Sequence, residues 1–324
     1  MSRIIGTGRY LPERILGNAE IAASAGVDEE WILRRTGIRE RRVAEPGESS
    51  SVMGTRAARA ALEDAGLSIG ELDLILVGTS TPDHLTPPTA AEIQASLGAF
   101  GAACFDIEAG FAGWIYALIT GDALLRSGIA GRALVVGVEK LSTVTDRTDP
   151  QTAPLFGDGA GAVVLARDDD GPLALRSASW WADGRLAGAL VRPAGGARRP
   201  FDERVLEERA HLLRMEGTKL FRQSVRTMAA QAQIALERAG LDMDDVALVV
   251  PHQANRRIID AFGREVGLAE ERVLINIDRY GNTGAATIPI ALDEAAKAGR
   301  LSEGPVLLVS FGAGATAGAV VVGG

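Results

Sequence analysis

Three short segments contain groups that could take part in catalysis. His252 follows the apolar run of residues 246–250 (VALVV), and α/β proteins commonly keep working groups at the carboxyl end of a parallel strand. Asn282 lies in a turn (residues 278–284, DRYGNTG) before a predicted helix. It could be a residue of the functional site, or it could simply cap the helix. The glycine-rich segment 310–318 (SFGAGATAG) could present backbone N–H groups to an oxyanion, or could be a tight hairpin.

A fourth segment, residues 102–118 (AACFDIEAGFAGWIYAL), predicts a strand–turn–helix elbow. An apolar strand at residues 104–107 passes through small residues into a helix that begins near Phe111. Such an elbow places the first helical side chain beside free amide N–H groups and the positive end of the helix. This environment lowers the pKa of a thiol and suits a nucleophile. Phe111 cannot be a nucleophile, so these residues alone favour a packed turn with a buried ring.

The elements that would position these segments alternate between apolar runs and amphipathic stretches, which predicts buried parallel strands between helices. The sequence also repeats itself: residues 61–67 (ALEDAGL) and 235–241 (ALERAGL) are identical at six of seven positions. Residues 161–165 (GAVVL) and 318–322 (GAVVV) form a second pair in the same order. We therefore predict two similarly folded halves that meet near residues 166–172 and share one crevice.

The amino-acid composition and net charge argue against several classes of protein. The 324 residues include one cysteine and three histidines, which argues against a disulfide framework and a cysteine-rich zinc site. Cys104 is expected to be a small core residue. The net charge of −8 argues against nucleic acid as the main partner. No apolar run approaches the roughly 18 residues of a membrane span, and no signal-peptide pattern is visible at residues 1–6, so we expect a cytoplasmic protein that does not bind membranes.

Taken together and in order, these segments resemble β-ketoacyl-acyl-carrier-protein synthase III, a family of the thiolase-fold superfamily. The resemblance extends over nearly the whole chain. It implies an α/β, thiolase-like fold of two duplicated βαβ halves in a five-layer αβαβα arrangement. Residues 1–168 would form the half with the nucleophile elbow, and residues 169–324 the half with the His and Asn motifs. The segments that carry the resemblance are residues 31–41 (WILRRTGIRER), 109–116 (AGFAGWIY), 156–162 (FGDGAGA), 250–255 (VPHQAN), 281–292 (GNTGAATIPIAL) and 310–314 (SFGAG).

The resemblance implies a Cys-His-Asn catalytic set in which the histidine is His252 and the asparagine is Asn282. The family's cysteine falls on Phe111, so the nucleophile position holds a residue that is not a nucleophile. The oxyanion hole would consist of the backbone N–H groups of Phe111 and Ala313. The tunnel for substrate and CoA would be lined by Trp31, Arg35, Gly217, Phe221, Ala254, Asn255 and Ile258.

The same resemblance implies an acyl pocket, a docking surface and a homodimer. Thr86 falls where many members carry an aromatic residue that reaches across the dimer, so a longer acyl chain would fit. Pro150 replaces an arginine that stacks on the CoA adenine, which weakens the case for free CoA as donor. The acyl pocket would contain Thr86, Phe156 and Phe311, and the acidic carrier protein would dock on Arg222, Arg256 and Arg257.

The implied activity is that of an acyltransferase that needs no metal or other cofactor and uses acyl-CoA or acyl-carrier-protein thioesters in a decarboxylative Claisen condensation. Without a cysteine no acyl-enzyme can form, whereas His252 and Asn282 could still stabilise the enolate of a malonyl thioester. Three interpretations remain open. In the first, the chain is a synthase III whose cysteine was replaced by design. Alternatively, it is a natural relative acting as a malonyl decarboxylase, a direct acyl transferase or an acyl-binding partner. In the third, it is a binding or structural subunit that catalyses no reaction. The pathway, fatty acid or polyketide synthesis, stays open in each case.

Overall fold

A mixed β-sheet of nine strands runs through the computed structural model, which describes residues 1–167 and 173–323. Two pairs of short strands, the second with the third and the ninth with the tenth in chain order, form separate small sheets. In chain order the described strands are β1 (Ser2–Tyr10), β2 (Ile15–Gly17), β3 (Glu40–Arg42), β4 (Leu74–Gly78), β5 (Ala103–Ile107), β6 (Arg132–Lys140), β7 (Asp158–Arg167), β8 (Leu173–Ala182), β9 (Leu190–Val191), β10 (Arg214–Met215), β11 (Leu248–Pro251), β12 (Val306–Gly312) and β13 (Thr316–Val322).

The large sheet has the strand order β11-β12-β13-β8-β1-β7-β6-β4-β5. Its two parts meet at β1 and β8, which share only the pairs Arg3–Ala174 and Ile4–Leu173. Parallel pairing is confined to β4 with β5 and β6, and to β11 with β12. Parallel strands between helices were predicted, and β11, which contains the apolar run at residues 248–250, pairs in parallel with β12. The antiparallel pairs of β1, β7, β8 and β13 were not predicted. The connection from β12 to β13 is a tight hairpin, which forces antiparallel pairing, and β7 likewise returns antiparallel to β6 without a crossover helix.

Helices cover both faces of the sheet and fill the space between its two parts. The described α-helices are α1 (Asn18–Ala25), α2 (Glu29–Thr36), α3 (Ser50–Asp64), α4 (Thr89–Leu97), α5 (Gly113–Arg126), α6 (Glu203–Glu207), α7 (Gly217–Ala239), α8 (Arg256–Glu265), α9 (Ile277–Tyr280) and α10 (Thr287–Lys297). The outer helix α3 packs on β1, β7 and β6, and α7 packs on β13, β8 and β12. Between them, α5 and α10 contact strands of both parts. The predicted five-layer αβαβα arrangement is confirmed.

The two sequence repeats lie at equivalent places in this arrangement. The first repeat forms the C-terminal ends of α3 and α7, where Gly66 (φ 61°) and Gly240 (φ 68°) reverse the chain in the left-handed region that favours glycine. The second repeat lies in β7 and β13. The predicted junction at residues 168 and 169 lies outside the described residues, so the domain boundary stays a prediction. No helix in the described ranges is long and apolar enough to cross a membrane.

Candidate active site

The elbow after β5 packs directly against the glycine-rich turn after β12. Gly110 has φ 53°, and a Cβ atom there would lie 2.5 Å from the backbone nitrogen of Ala313. A Cβ atom at Gly312 would lie 2.5 Å from the backbone nitrogen of Phe111. Only glycine permits approaches this close. Two turns that are distant in sequence thus meet backbone to backbone, which brings residues 111 and 313 together.

The side chain of Phe111 lies just before α5 and is buried against the residues around it. Its ring contacts Phe156 edge-on, with centroids 5.8 Å apart and an interplanar angle of 70°. The ring of His252 lies 5.8 Å away on another side. Phe111 belongs to one apolar cluster with Leu141 and Leu190. The ring therefore occupies the space immediately beyond its Cβ atom, where a catalytic thiol would extend.

His252 follows the last residue of β11 and is almost completely buried. Its Nδ1 lies 2.6 Å from the hydroxyl of Thr287 at the start of α10. Burial lowers the pKa of His252 to about 3, so the imidazole is neutral at physiological pH. Its Nε2 is buried and has no hydrogen-bond partner within the described part of the chain. A buried polar atom without a partner is a natural place for a ligand contact.

Asn282 is fixed by both its backbone and its carboxamide oxygen. Its N–H donates to the carbonyl of Leu155 at 2.8 Å, and its carbonyl accepts from Gly157 at 3.0 Å. The side-chain Oδ1 accepts from the N–H of Gly284 at 2.9 Å. Asn282 is therefore not the helix cap considered from the sequence, because Thr283 holds the N-cap position of the short 3-10 helix Gly284–Ala286 and Ala286 holds that of α10. With the oxygen engaged, the amide nitrogen is the part of this side chain left for a ligand.

A cavity of about 1140 Å³ connects this buried cluster with the protein surface. The exposed Arg35, Arg222 and Arg257 line its mouth, whereas the buried Phe111 and His252 line its inner end. Most of the residues predicted from the sequence therefore meet in one space. The predicted residues that line it are Trp31, Arg35, Phe111, Pro150, Phe156, Gly217, Phe221, Arg222, His252, Ala254, Asn255, Arg257, Ile258, Asn282 and Phe311.

Cations stacked on aromatic rings shape the mouth of the cavity. The guanidinium carbon of Arg35 lies 5.5 Å from the ring of Trp31, and that of Arg257 lies 5.7 Å from the ring of Phe221. Both contacts are within the range of a cation–π interaction. Asn255 connects the two arginines of the mouth. Its Nδ2 donates a hydrogen bond to the backbone carbonyl of Arg35, and its Oδ1 caps α8 by accepting one from the backbone N–H of Arg257. The mouth is thus ordered and positively charged.

Three predicted residues lie outside this cavity. Arg256 forms ion pairs with Asp260 at 2.6 Å and Glu270 at 2.5 Å, and it lines a separate polar cleft. Thr86 is exposed on the surface. At the glycine-rich turn, Gly312 rather than Ala313 contributes to the cavity wall. Their assigned roles therefore remain predictions.

The chain matches known proteins along most of its length. A family model described as 3-oxoacyl-[acyl-carrier-protein (ACP)] synthase III matches residues 105–184, and the corresponding C-terminal model matches residues 236–323. The β-ketoacyl-[acyl-carrier-protein] synthase III of Caldanaerobacter subterraneus subsp. tengcongensis is 44% identical over 97% of this chain and 95% of its own length. The chain belongs to the 3-oxoacyl-[acyl-carrier-protein] synthase III family.

Solved structures of the synthase III family share the whole architecture. The synthase III of Aquifex aeolicus VF5 superimposes with a TM-score of 0.92 at 42% identity, covering 100% of both chains. The priming β-ketosynthase of the R1128 polyketide pathway gives a TM-score of 0.91 at 37% identity, covering 99% of this chain and 96% of its own. These similarities confirm the thiolase-like fold and assign the chain to an acyltransferase family of condensing enzymes.

Sequence reasoning missed several residues of this synthase III site. Thr287 was passed over because an isolated threonine at a helix start carries no functional signal, although it lies only five residues after Asn282. Leu190 and Met215 line the cavity from the two-stranded sheet of β9 and β10. Strands of two residues leave no periodic pattern, so nothing in the sequence could have placed them there.

Proposed function

We propose that this chain binds a malonyl thioester carried by an acyl carrier protein and decarboxylates it at His252 and Asn282. In this proposal Phe111 stands at the family's nucleophile position, so the chain forms no acyl-enzyme and does not complete the condensation. The observation that carries the proposal is the ring of Phe111, 5.8 Å from the ring of His252 in an otherwise assembled site.

The loss of the first half-reaction follows from side-chain chemistry. Acyl transfer through a covalent intermediate needs a nucleophilic atom on the enzyme, and a phenyl ring has none. The part of the chain that the structure describes contains one cysteine, Cys104, which lies on β5 outside the cavity. Burial and the neighbouring Asp106 raise the pKa of the Cys104 thiol, which disfavours the reactive thiolate. Cys104 therefore does not replace the missing nucleophile.

The second half-reaction needs only hydrogen bonds. The bond between the malonyl α-carbon and its carboxylate breaks, CO₂ leaves, and the electron pair moves through the α-carbon onto the thioester oxygen. The amide nitrogen of Asn282 and an N–H at Nε2 of His252 would stabilise that oxyanion. Protonation of the α-carbon by water then gives the acetyl thioester. The pKa of His252 is lowered to about 3, so its ring is neutral and carries one proton in every step of this reaction.

The mouth of the cavity supports a carrier protein as the partner that delivers the substrate. The exposed side chains of Arg222, Arg257 and Lys219 surround the opening of a chain that is acidic overall. A local basic surface of this kind would attract an acidic carrier protein and orient its pantetheine arm towards His252. Pro150 at the mouth, in place of a stacking arginine, supports a carrier-bound thioester over free CoA. A cytoplasmic homodimer that serves fatty acid or polyketide synthesis completes the proposal.

Incubation with malonyl-carrier protein tests this function. We expect CO₂ release with formation of acetyl-carrier protein, seen by intact mass spectrometry, and no ketoacyl product when acyl-CoA is added. The variant His252→Ala should lose the activity, whereas Phe201→Ala, a change at an exposed ring outside the cavity, should keep it. A folded wild-type protein without CO₂ release would contradict the proposal and favour a binding subunit. Transfer of an intact acyl group to a small acceptor would instead favour a direct acyl transferase.

A further inference from the structure

We propose that the ring of Phe111 fills the inner acyl pocket, so that the site accepts a short, charged acyl group such as malonyl and rejects hydrocarbon chains of about six carbons. The inference rests on the proposed function for the identity of the malonyl ligand. It adds a substrate class, because the same side chain that removes the nucleophile also decides which thioesters fit.

The geometry starts from the Cβ atom of residue 111. An acyl group on a cysteine at this position would extend from Cβ through sulfur into the space that the phenyl ring now occupies. That ring is 7% exposed and packs edge-on against Phe156. On another side a Cβ atom at Gly284 would lie 3.0 Å from Cδ1 of Phe111, so the ring rests close against this backbone. Protein interiors are close-packed, so this space cannot hold both a ring and an acyl chain.

The polar residues of the site line the same cavity as the ring. His252 and Asn282 both line the cavity together with Phe111. Nε2 of His252 is buried and lacks a hydrogen-bond partner in the described part of the structure, so it is available to a thioester oxygen. A malonyl group has only three carbons, the last of which is its carboxylate, and it does not need the apolar space beyond residue 111. The site therefore keeps its polar subsite and has lost its apolar one.

Binding measured without turnover tests this division. The probes are malonyl-pantetheine amide and hexanoyl-pantetheine amide, whose amide bonds resist acyl transfer. Affinities are measured by calorimetry on the full chain, and mass spectrometry verifies that the malonyl probe has kept its carboxylate. Wild-type protein should bind the malonyl probe and bind the hexanoyl probe at least about tenfold more weakly, since each buried methylene changes affinity by roughly fourfold. The variant Phe111→Ala should bind the hexanoyl probe at least about tenfold more tightly than wild type, because an apolar cavity binds apolar ligands of its size. Phe201→Ala makes the same change at an exposed ring and should alter neither affinity.

Equal affinity of the wild-type protein for both probes, or no gain for hexanoyl in Phe111→Ala, would overturn the inference. Should Phe111→Ala fail to fold, Phe111→Leu provides a smaller opening with the same expected direction. The readouts separate this inference from the proposed function. If Phe111→Ala binds the hexanoyl probe more tightly but the wild-type protein releases no CO₂, the inference that Phe111 fills the acyl pocket stands and the proposed decarboxylase activity is rejected. If the wild-type protein releases CO₂ but Phe111→Ala binds the hexanoyl probe no more tightly, the decarboxylase activity stands and the filled pocket is rejected.

Discussion

Nδ1 of His252 lies 2.6 Å from the hydroxyl of Thr287, and both side chains are buried. The contact joins the end of β11 to the start of α10. The hydroxyl has one proton, and the carbonyl of Gly284, at 3.0 Å, is its other possible acceptor. Gly284 already accepts from the backbone N–H of Thr287. The oxyanion role proposed for His252 requires this hydroxyl to donate to Nδ1, the closer of the two acceptors, so that the imidazole proton lies on Nε2, where a substrate oxygen can use it.

The variant Thr287→Val tests this positioning role. Valine keeps the shape of threonine and removes the hydroxyl, so Nε2 is no longer held as the donor. We expect kcat for malonyl-thioester decarboxylation to fall about tenfold, which corresponds to the loss of one buried hydrogen bond, with little change in KM. Thr287→Ser should restore most of the rate. Equal kcat values for Thr287→Val and wild type would show that the contact only packs the core.

Charge reversal at neighbouring arginines tests the docking surface. Arg257→Glu should weaken carrier-protein binding by roughly 1–3 kcal/mol and flatten its dependence on salt, because an attractive charge at the mouth becomes repulsive. Arg256→Glu is the matched control. Arg256 is already paired with Asp260 and Glu270 and lines another cleft, so we expect a smaller effect. Calorimetry at two salt concentrations measures both, and equal effects of the two reversals would argue against a surface centred on Arg257.

A buried carboxyl behind the elbow predicts how stability changes with pH. Burial raises the pKa of Glu139 from 4.5 to about 8, against hydrogen bonds from Thr81 and Ser80 that favour ionisation. Between these two pH values the unfolded chain ionises Glu139 while the folded chain keeps it protonated. The free energy of unfolding that Glu139 contributes is therefore fully present below pH 4.5 and is lost as pH rises towards 8.

Urea denaturation of wild type and Glu139→Gln at pH 5, 6.5 and 8 measures this loss. Glutamine does not ionise, so the wild-type protein should lose stability relative to the variant at each step upward in pH. A difference in unfolding free energy that stays constant over this range would show that Glu139 does not titrate as its burial predicts.

The exposed edge of the large sheet predicts a homodimer. β5 is the outermost strand on its side, and an edge strand offers unpaired backbone groups to a second copy. Phe105 on this strand is partly exposed, and Phe100 just before it is 80% exposed. Light scattering at micromolar concentration should give twice the 33.9 kDa mass of the chain, and Phe105→Lys should reduce it. A stable wild-type monomer would contradict this prediction.

The sequence was sufficient to predict which turns converge, because each motif follows a strand whose end could be recognised. His252 and Asn282 are 30 positions apart and line one cavity as predicted, and so does Phe111, which lies far from both in the sequence. The sequence alone could not show that Arg256 and Arg257 line different clefts. They open α8, where successive side chains diverge by about 100°, so one faces the mouth and its neighbour faces another cleft.

Contacts formed only by tertiary packing were also beyond prediction. The hydroxyl of Thr287 meets His252 because α10 packs beside β11, and neither residue's local pattern encodes that approach. The antiparallel direction of β7 and β13 could not be inferred from their residues, because both strands are buried almost throughout. A continuous apolar run is expected for any fully buried strand and does not reveal its direction.

The variant Phe111→Cys tests most directly whether this chain is a synthase III site without its nucleophile. The elbow, the turn at Ala313, His252 and Asn282 are already assembled, so one side chain should complete the site. The smaller residue should cost roughly 1–3 kcal/mol of stability through the cavity it leaves. Cys104 in the same chain is an internal control, because its raised pKa should keep it unmodified.

Peptide mass spectrometry after incubation of folded Phe111→Cys with an acyl thioester is the decisive measurement. We predict an acyl adduct at residue 111 and none at Cys104, followed by a ketoacyl product when malonyl-carrier protein is added. An adduct without condensation would point to an acyl transferase. A folded variant whose new thiol takes no acyl group would contradict the assignment of Phe111 to the nucleophile position.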